Sequence, residues 1–123
     1  MSHLSKVHTE FRDLLALKAA VASMGFGWIP QGQCRGWGGA KTTFPVVIKL
    51  PVNYDIGVSI TADGMELSAD LYDGSVERTV GTGLGLLKQA YAREKLISEA
   101  RRKGKTVRVN HLKGGVIELL IGG

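Results

Sequence analysis

The sequence has one cysteine, three histidines, three prolines and only 7% aromatic residues among its 123 positions. A lone cysteine, Cys34, excludes an internal disulfide framework and fits a reducing compartment. His3, His8 and His111 stand apart from each other and from Cys34, so no pair has the short spacing that zinc sites use, and neither a metal nor a cofactor is expected. Met1-Ser2-His3 would offer an amino terminus, two amides and an imidazole to a copper-like ion, but small Ser2 favours removal of Met1, which leaves His3 as a surface residue. No apolar run approaches the roughly 18 to 20 residues that span a bilayer, so no membrane insertion is expected. The opening residues also lack the basic, apolar and small-residue succession of a secretory signal. With so few large rings available, Trp28 and Trp37 read first as core fillers.

What is present is a folding composition. Hydrophobic residues make up 44% and charged residues 22%, too apolar for a disordered chain, and the length suits one domain spanning residues 1–123. The net charge of +5 permits a polyanionic partner. Divided along the chain it is less uniform. Residues 1–50 carry six cations against two carboxylates, residues 51–87 only Arg78 against six, and residues 88–123 nine against three. A basic, acidic, basic succession suits a two-signed surface that meets a protein partner better than it suits an evenly basic nucleic-acid binder.

Periodicity then gives the elements. His3–Phe11 reads as a first strand, and Asp13 caps a helix whose Leu14, Leu17, Val21 and Met24 share one face before Gly25 stops it. Residues 31–43 hold four glycines and read as a loop with one short strand at most, after which Phe44–Leu50 resumes as a strand. Ile56–Ala62 and Met65–Leu71 form a hairpin around Asp63-Gly64. Gly81, Gly83 and Gly85 lead into a long helix, Leu84–Lys103, with Leu84, Leu87, Ala90, Tyr91 and Ile97 along its apolar stripe. Its end at Arg101-Arg102-Lys103-Gly104 places cations against the negative helix terminus. Thr106–Asn110 and Val116–Ile121 close the chain as a second hairpin around Lys113-Gly114-Gly115. Two main helices and strands that come in hairpins predict an α+β fold with a mostly antiparallel sheet.

Several motifs resemble chemistry that they do not complete. Gly36-Trp37-Gly38-Gly39-Ala40-Lys41-Thr42 has alanine where a phosphate loop needs glycine, and Gly104-Lys105-Thr106 follows a helix instead of a strand. The Gly81–Gly85 run precedes a helix and could hold an anion on its amides, but lacks the dinucleotide spacing. Cys34 acts as a nucleophile only if folding brings a histidine to it and lowers its pKa; a buried structural thiol is the plainer expectation. Arg35 and Trp37 put a fork donor beside a stacking plane. Asp55, next to Tyr54, could meet Gln89 and Tyr91 as a polar cluster around a small ligand.

These same residues carry a family resemblance. The opening Met1-Ser2-His3-Leu4-Ser5, the Asp13 helix, Arg35-Gly36-Trp37 followed by Gly39, Tyr54-Asp55-Ile56-Gly57, Asp63-Gly64, Ala69-Asp70-Leu71 and Gln89-Ala90-Tyr91-Ala92 are similar, in this order, to the cyanobacterial and plastid family of hypothetical chloroplast reading frame thirty-five, the domain of unknown function 1257. The resemblance implies a cytoplasmic or stroma-like compartment and an accessory role, with no reaction attached. Leu71-Tyr72-Asp73-Gly74 departs from the aromatic pair that the family tends to have there.

Three expectations follow. The first is a non-enzymatic accessory protein that docks on a larger protein assembly, with Arg35, Trp37, Tyr54, Asp55, Gln89 and Tyr91 as partner-binding residues. The second is an RNA-binding module using Arg101, Arg102, Lys103, Lys105, Arg108 and Lys113, with an aromatic contribution from Trp37. The third is a small-ligand enzyme built on Asp55, Gln89 and Tyr91.

Overall fold

A computed structural model of the chain describes residues 4–7 and 10–123. The elements run β1 Leu4–Val7, α1 Leu14–Ser23, β2 Gly27–Arg35, β3 Lys41–Lys49, β4 Ile56–Thr61, β5 Gly64–Asp70, α2 Ser75–Val80, α3 Gly85–Arg102, β6 Thr106–His111 and β7 Ile117–Gly122. Five strands form an antiparallel sheet in the order β1-β5-β4-β3-β2, and β6 and β7 form a two-stranded sheet of their own. The fold is α+β with a mostly antiparallel sheet, two sizeable helices and a C-terminal hairpin, as the pattern predicts.

The α1 helix forms where its caps dictate. The Asp13 carboxylate accepts the Ala16 N–H at 3.1 Å, and Gly25 takes φ +79 just past the last turn. Leu17, Ala20 and Val21 are buried and join the core, whereas Leu14 sits at the rim. The helix carries the chain from the β1 edge of the sheet to the β2 edge. One sheet face, with Val46, Ile48, Ile56, Val58, Met65, Leu67 and Ala69, packs in one core with Leu17 and Val21 of α1, Val76 and Val80 of α2, and Leu87 and Ala90 of α3. A smaller cluster gathers Cys34, Phe44 and Val47 with Leu4 against them. The Phe44 ring lies directly over Gly57, where any Cβ would collide with it.

Four expectations need correction. Residues 31–43 are mostly strand, not a loop: β2 and β3 pair through them from Gly27 with Lys49 to Arg35 with Lys41, with a break in the pairing at Gln31, whose φ is +49, and a tight turn at Trp37–Gly39. Glycine there serves close packing as much as flexibility, since a Cβ on Gly32 would stand 2.9 Å from Ile29 and 3.2 Å from Val47. The first hairpin turns on Ala62-Asp63, because Thr61 pairs with Gly64. Gly64 belongs to β5, where the Phe11 carbonyl crowds the place a Cβ would take and accepts the Met65 N–H at 2.9 Å. Ser75–Val80 adds a third, short helix that six residues are too few to announce by periodicity. Among the described residues the first strand runs Leu4–Val7 and does not include Glu10 or Phe11; His3, with the metal reading attached to it, falls outside the described residues, as do His8 and Thr9.

Candidate functional site

The chemistry-bearing residues named from the sequence separate into a group at one end of the sheet and a group on α3. At the sheet end, Asp55 is completely buried and faced by Arg35 as a fork: Nε donates to Oδ2 at 2.9 Å and an Nη donates to Oδ1 at 2.8 Å. The Arg35 and Leu50 amides donate to the same carboxylate at 3.1 and 3.3 Å, and Lys49 approaches it at 3.9 Å. Burial alone would raise the Asp55 pKa; the guanidinium and the two amides outweigh it and hold the carboxyl below its ordinary value. The same Nη also donates to the Leu50 and Val52 carbonyls at 3.1 and 2.6 Å. Arg35 and Asp55 are therefore committed to each other, and what they do is lock the Leu50–Asp55 connection onto the end of β2.

A second buried carboxylate stands beside this clamp. Asp70, 1% exposed, accepts the Trp37 N–H at 2.8 Å on one oxygen and the Tyr72 N–H at 2.9 Å on the other. It thereby ties the β2–β3 turn to the turn after β5. A Cβ on Gly36 would stand 3.4 Å from the Asp70 carboxylate, about at van der Waals contact. The consequence lies at the surface: the Trp37 and Tyr72 rings meet edge to face with centroids 5.8 Å apart, and are 42% and 64% exposed. Trp28 packs against the core as expected, but Trp37 is not a core residue. Tyr54 is buried in the same region, its phenol pushed up by burial and by the nearby Asp73 and Asp70 carboxylates. A shallow hollow of about 280 Å3 opens between Arg35, Lys41, Asn53 and Tyr54.

The α3 residues do something else. Tyr91 Oη accepts the Arg12 and Asp13 amides at 3.1 and 3.0 Å, and its ring stands 4.5 Å from that of Phe11. It docks the start of α1 onto α3, with Lys95 adding an ion pair to Asp13 at 3.2 Å. Gln89 is exposed. Among the described residues Asp55 and Tyr91 share no hydrogen-bond partner: Asp55 binds Arg35 and the Leu50 amide, Tyr91 the amides before α1. In the Gly81–Gly85 run, which could have held an anion on its amides, the Gly83 N–H is taken up from within by the Glu77 carboxylate at 2.9 Å. Cys34 is buried and its thiol is pushed up to about 12 by burial and the neighbouring Asp55 charge, which removes it as a nucleophile. Among the described residues no three His, Cys, Asp or Glu side chains gather in a way that could hold a metal ion.

Burial also revises the charge pattern. Asp55 and Asp70 contribute no surface charge, so the acidic middle segment presents four carboxylates against Arg78. The basic C-terminal segment keeps its full charge, with Arg101, Arg102, Lys103, Lys105, Arg108 and Lys113 all exposed. No helix of the described chain is long and apolar enough to cross a membrane.

Sequence reasoning singled out Arg35, Trp37, Tyr54 and Asp55 but missed Asp70 and Tyr72 as their companions. The only local signal was the pair Asp70 and Asp73, each of which binds the amide two residues on.

The family model described as "Protein of unknown function (DUF1257)" matches residues 20–119. The chain belongs to that family. It is 32% identical over 123 residues to "Uncharacterized protein ycf35" of Cyanophora paradoxa, covering 98% of this chain and 96% of the relative. It is 30% identical over 118 residues to the protein of the same name from Guillardia theta, covering 91% and 92%. No solved structure matches. The matched span contains both buried carboxylates and both exposed rings, so the site lies inside the family's region.

Proposed function

We propose that the chain is a non-enzymatic accessory protein that docks on a larger protein assembly through the Trp37–Tyr72 pair. The observation that supports this reading is that one buried carboxylate, Asp70, holds the backbone of both residues while their rings stand open to solvent. Exposed aromatics make strong anchors when they are already ordered, because little conformational entropy remains to be lost on binding. Within the six residues expected to bind a partner, Trp37 is then the contact, Arg35, Tyr54 and Asp55 support it from behind, and Tyr91 stabilises the fold elsewhere; Gln89 offers only a separate exposed amide. A cytoplasmic or stroma-like setting belongs to the same proposal and rests on kinship with the ycf35 proteins.

The test is gel filtration of tagged chain in native extract. Elution at high mass that survives nuclease treatment and disappears in Trp37→Ala/Tyr72→Ala, with the variant's melting curve unchanged, is the expected result. Elution of the wild-type chain at its own mass would reject the proposal.

The alternative, an RNA-binding module, draws on one observation: the six exposed cations between Arg101 and Lys113. Binding through several phosphates weakens steeply as salt rises. Retention of RNA on a filter at low salt, lost on reversing those charges, would favour it.

A further inference from the structure

The C-terminal hairpin has one apolar face, and that face is only half-covered: Val107, Val109, Ile117 and Leu119 are half-buried. Its register sets Val107 opposite Ile121, Val109 opposite Leu119 and His111 opposite Ile117. Partners across an antiparallel pair project to the same side, so Val107, Val109, Ile117, Leu119 and Ile121 form one apolar face. No described residue of either strand is buried; Ile121 is 40% exposed, and on the other face Leu120 is 46% exposed. A two-stranded hairpin is marginal in water until a third strand or a packed layer completes it. The free edge of β7 reads Ile-Glu-Leu-Leu-Ile-Gly, without the proline, lysine or bulge that protects exposed edges. β6 is the strand that lies against α3, which leaves the outer edge of β7 as the place where a strand can be added.

Charge selects the occupant. The six cations from Arg101 to Lys113 are exposed and form no ion pair among the described residues, while the only carboxylate of the hairpin, Glu118, accepts a hydrogen bond from Asn110 at 3.1 Å. A second copy would bring the same cationic excess. RNA would meet the cations but would find valine, leucine and isoleucine where bases need a ring to stack on. A protein strand that alternates apolar and acidic residues satisfies both features. We propose that β7 takes up an extended acidic segment of a partner protein as a third strand. Main-chain hydrogen bonds join it to the open edge, its apolar side chains continue the Val107–Ile121 face, and its carboxylates neutralise Arg108, Lys113 and the cations at the end of α3. This surface is separate from the aromatic pair and stands or falls independently of it.

The experiment uses the full chain and two labelled synthetic peptides of equal length, one alternating valine and glutamate, the other valine and lysine, followed by fluorescence anisotropy. The valine-glutamate peptide should bind and the valine-lysine peptide should not. Arg108→Glu/Lys113→Glu should weaken binding by about tenfold or more, and Leu119→Asp should abolish it. Because Leu119→Asp also loosens the hairpin, the charge-reversal pair, exposed on both counts, carries the decision. Equal binding of both peptides, or of neither, overturns the proposal. So does a dimer in sedimentation equilibrium that Leu120→Lys splits, which gives the edge to a second copy. Binding of oligouridylate that the charge reversal removes, with no binding of valine-glutamate, gives the cations to RNA.

Discussion

Asp70 accepts the backbone N–H of Trp37 at 2.8 Å across thirty-three positions of sequence, and its second oxygen holds Tyr72. One carboxylate thus joins two turns and sets the relation between two exposed rings. Asp70→Asn replaces an acceptor with an amide N–H that points at another N–H. The expected loss is about 1 to 3 kcal/mol of stability, together with a freer Trp37. In a Trp28→Phe background Trp37 is the sole indole, and acrylamide should quench it faster in the Asn variant than in the parent. Unchanged quenching would show that the turn holds itself.

The Arg35–Asp55 fork makes a claim about pH. The Asp55 carboxyl titrates below its ordinary 3.8 in the folded chain, so the unfolded chain binds the extra proton first. The stability that this gives is complete above that value and drains away as pH falls through the lower, folded value. Asp13, lowered chiefly by the Ala16 amide and then by Lys95, acts in the same direction. Asp55→Asn should cost about 2 to 3 kcal/mol near neutrality, the low end for a buried pair because Arg35 reaches solvent. Urea titrations between pH 7 and 3 should show the wild type and the variant converging as the acid limit is approached. A constant gap across that range would contradict the linkage.

How much of this was legible depends on how far apart the interacting groups lie in sequence. The α1 helix was readable because its cap, stripe and stop are contiguous from Asp13 to Gly25, and both hairpins were readable because their turns sit between two alternating runs. Arg35 and Asp55 each attracted notice, yet the separation of twenty positions hid the pairing that gives both their role. Gly32 read as part of a loop; its purpose, like that of Gly57 in β4, is to make room for a neighbour, Val47 and Phe44 respectively, whose positions only the folded sheet defines. Trp37 was assigned to the core by size, and that failed because Asp70 holds the turn at the surface.

Gly57 supplies a test of that packing argument. Its backbone needs no unusual angle, but a methyl group there meets the Phe44 ring. Gly57→Ala should therefore destabilise by about 1 to 3 kcal/mol through overpacking, against a substitution that in an open strand would be neutral or helpful. Phe44→Leu combined with Gly57→Ala should recover part of the loss in thermal melts. If Gly57→Ala alone melts with the wild type, the ring moves aside freely.

Cys34 gives a chemical readout of the smaller cluster. A thiol pushed up to about 12 and buried beside Val47 and Phe44 is neither ionised nor reachable at neutral pH. A disulfide reagent such as Ellman's should titrate no thiol in the native chain on the time of mixing and one per chain in denaturant. The native rate should follow global or sub-global opening, so it should rise in Gly57→Ala, which disturbs the same cluster. Prompt reaction of the native thiol would place Cys34 at the surface.

Tyr91 connects the two helices through a single oxygen. Its Oη accepts two successive amides, those of Arg12 and Asp13, which precede α1 and which the helix itself cannot satisfy. Tyr91→Phe keeps the ring contact with Phe11 at 4.5 Å and removes only the acceptor. The loss should be about 1 to 2 kcal/mol, located at the start of α1, with faster amide hydrogen exchange at Arg12 and Asp13 and little change in β3 or β4. Tyr91→Ala removes the ring as well and should cost more, about 3 kcal/mol or above. The difference between the two variants separates the hydrogen bonds from the packing. Equal effects would mean that the hydroxyl contributes nothing and that the ring alone docks α1 onto α3.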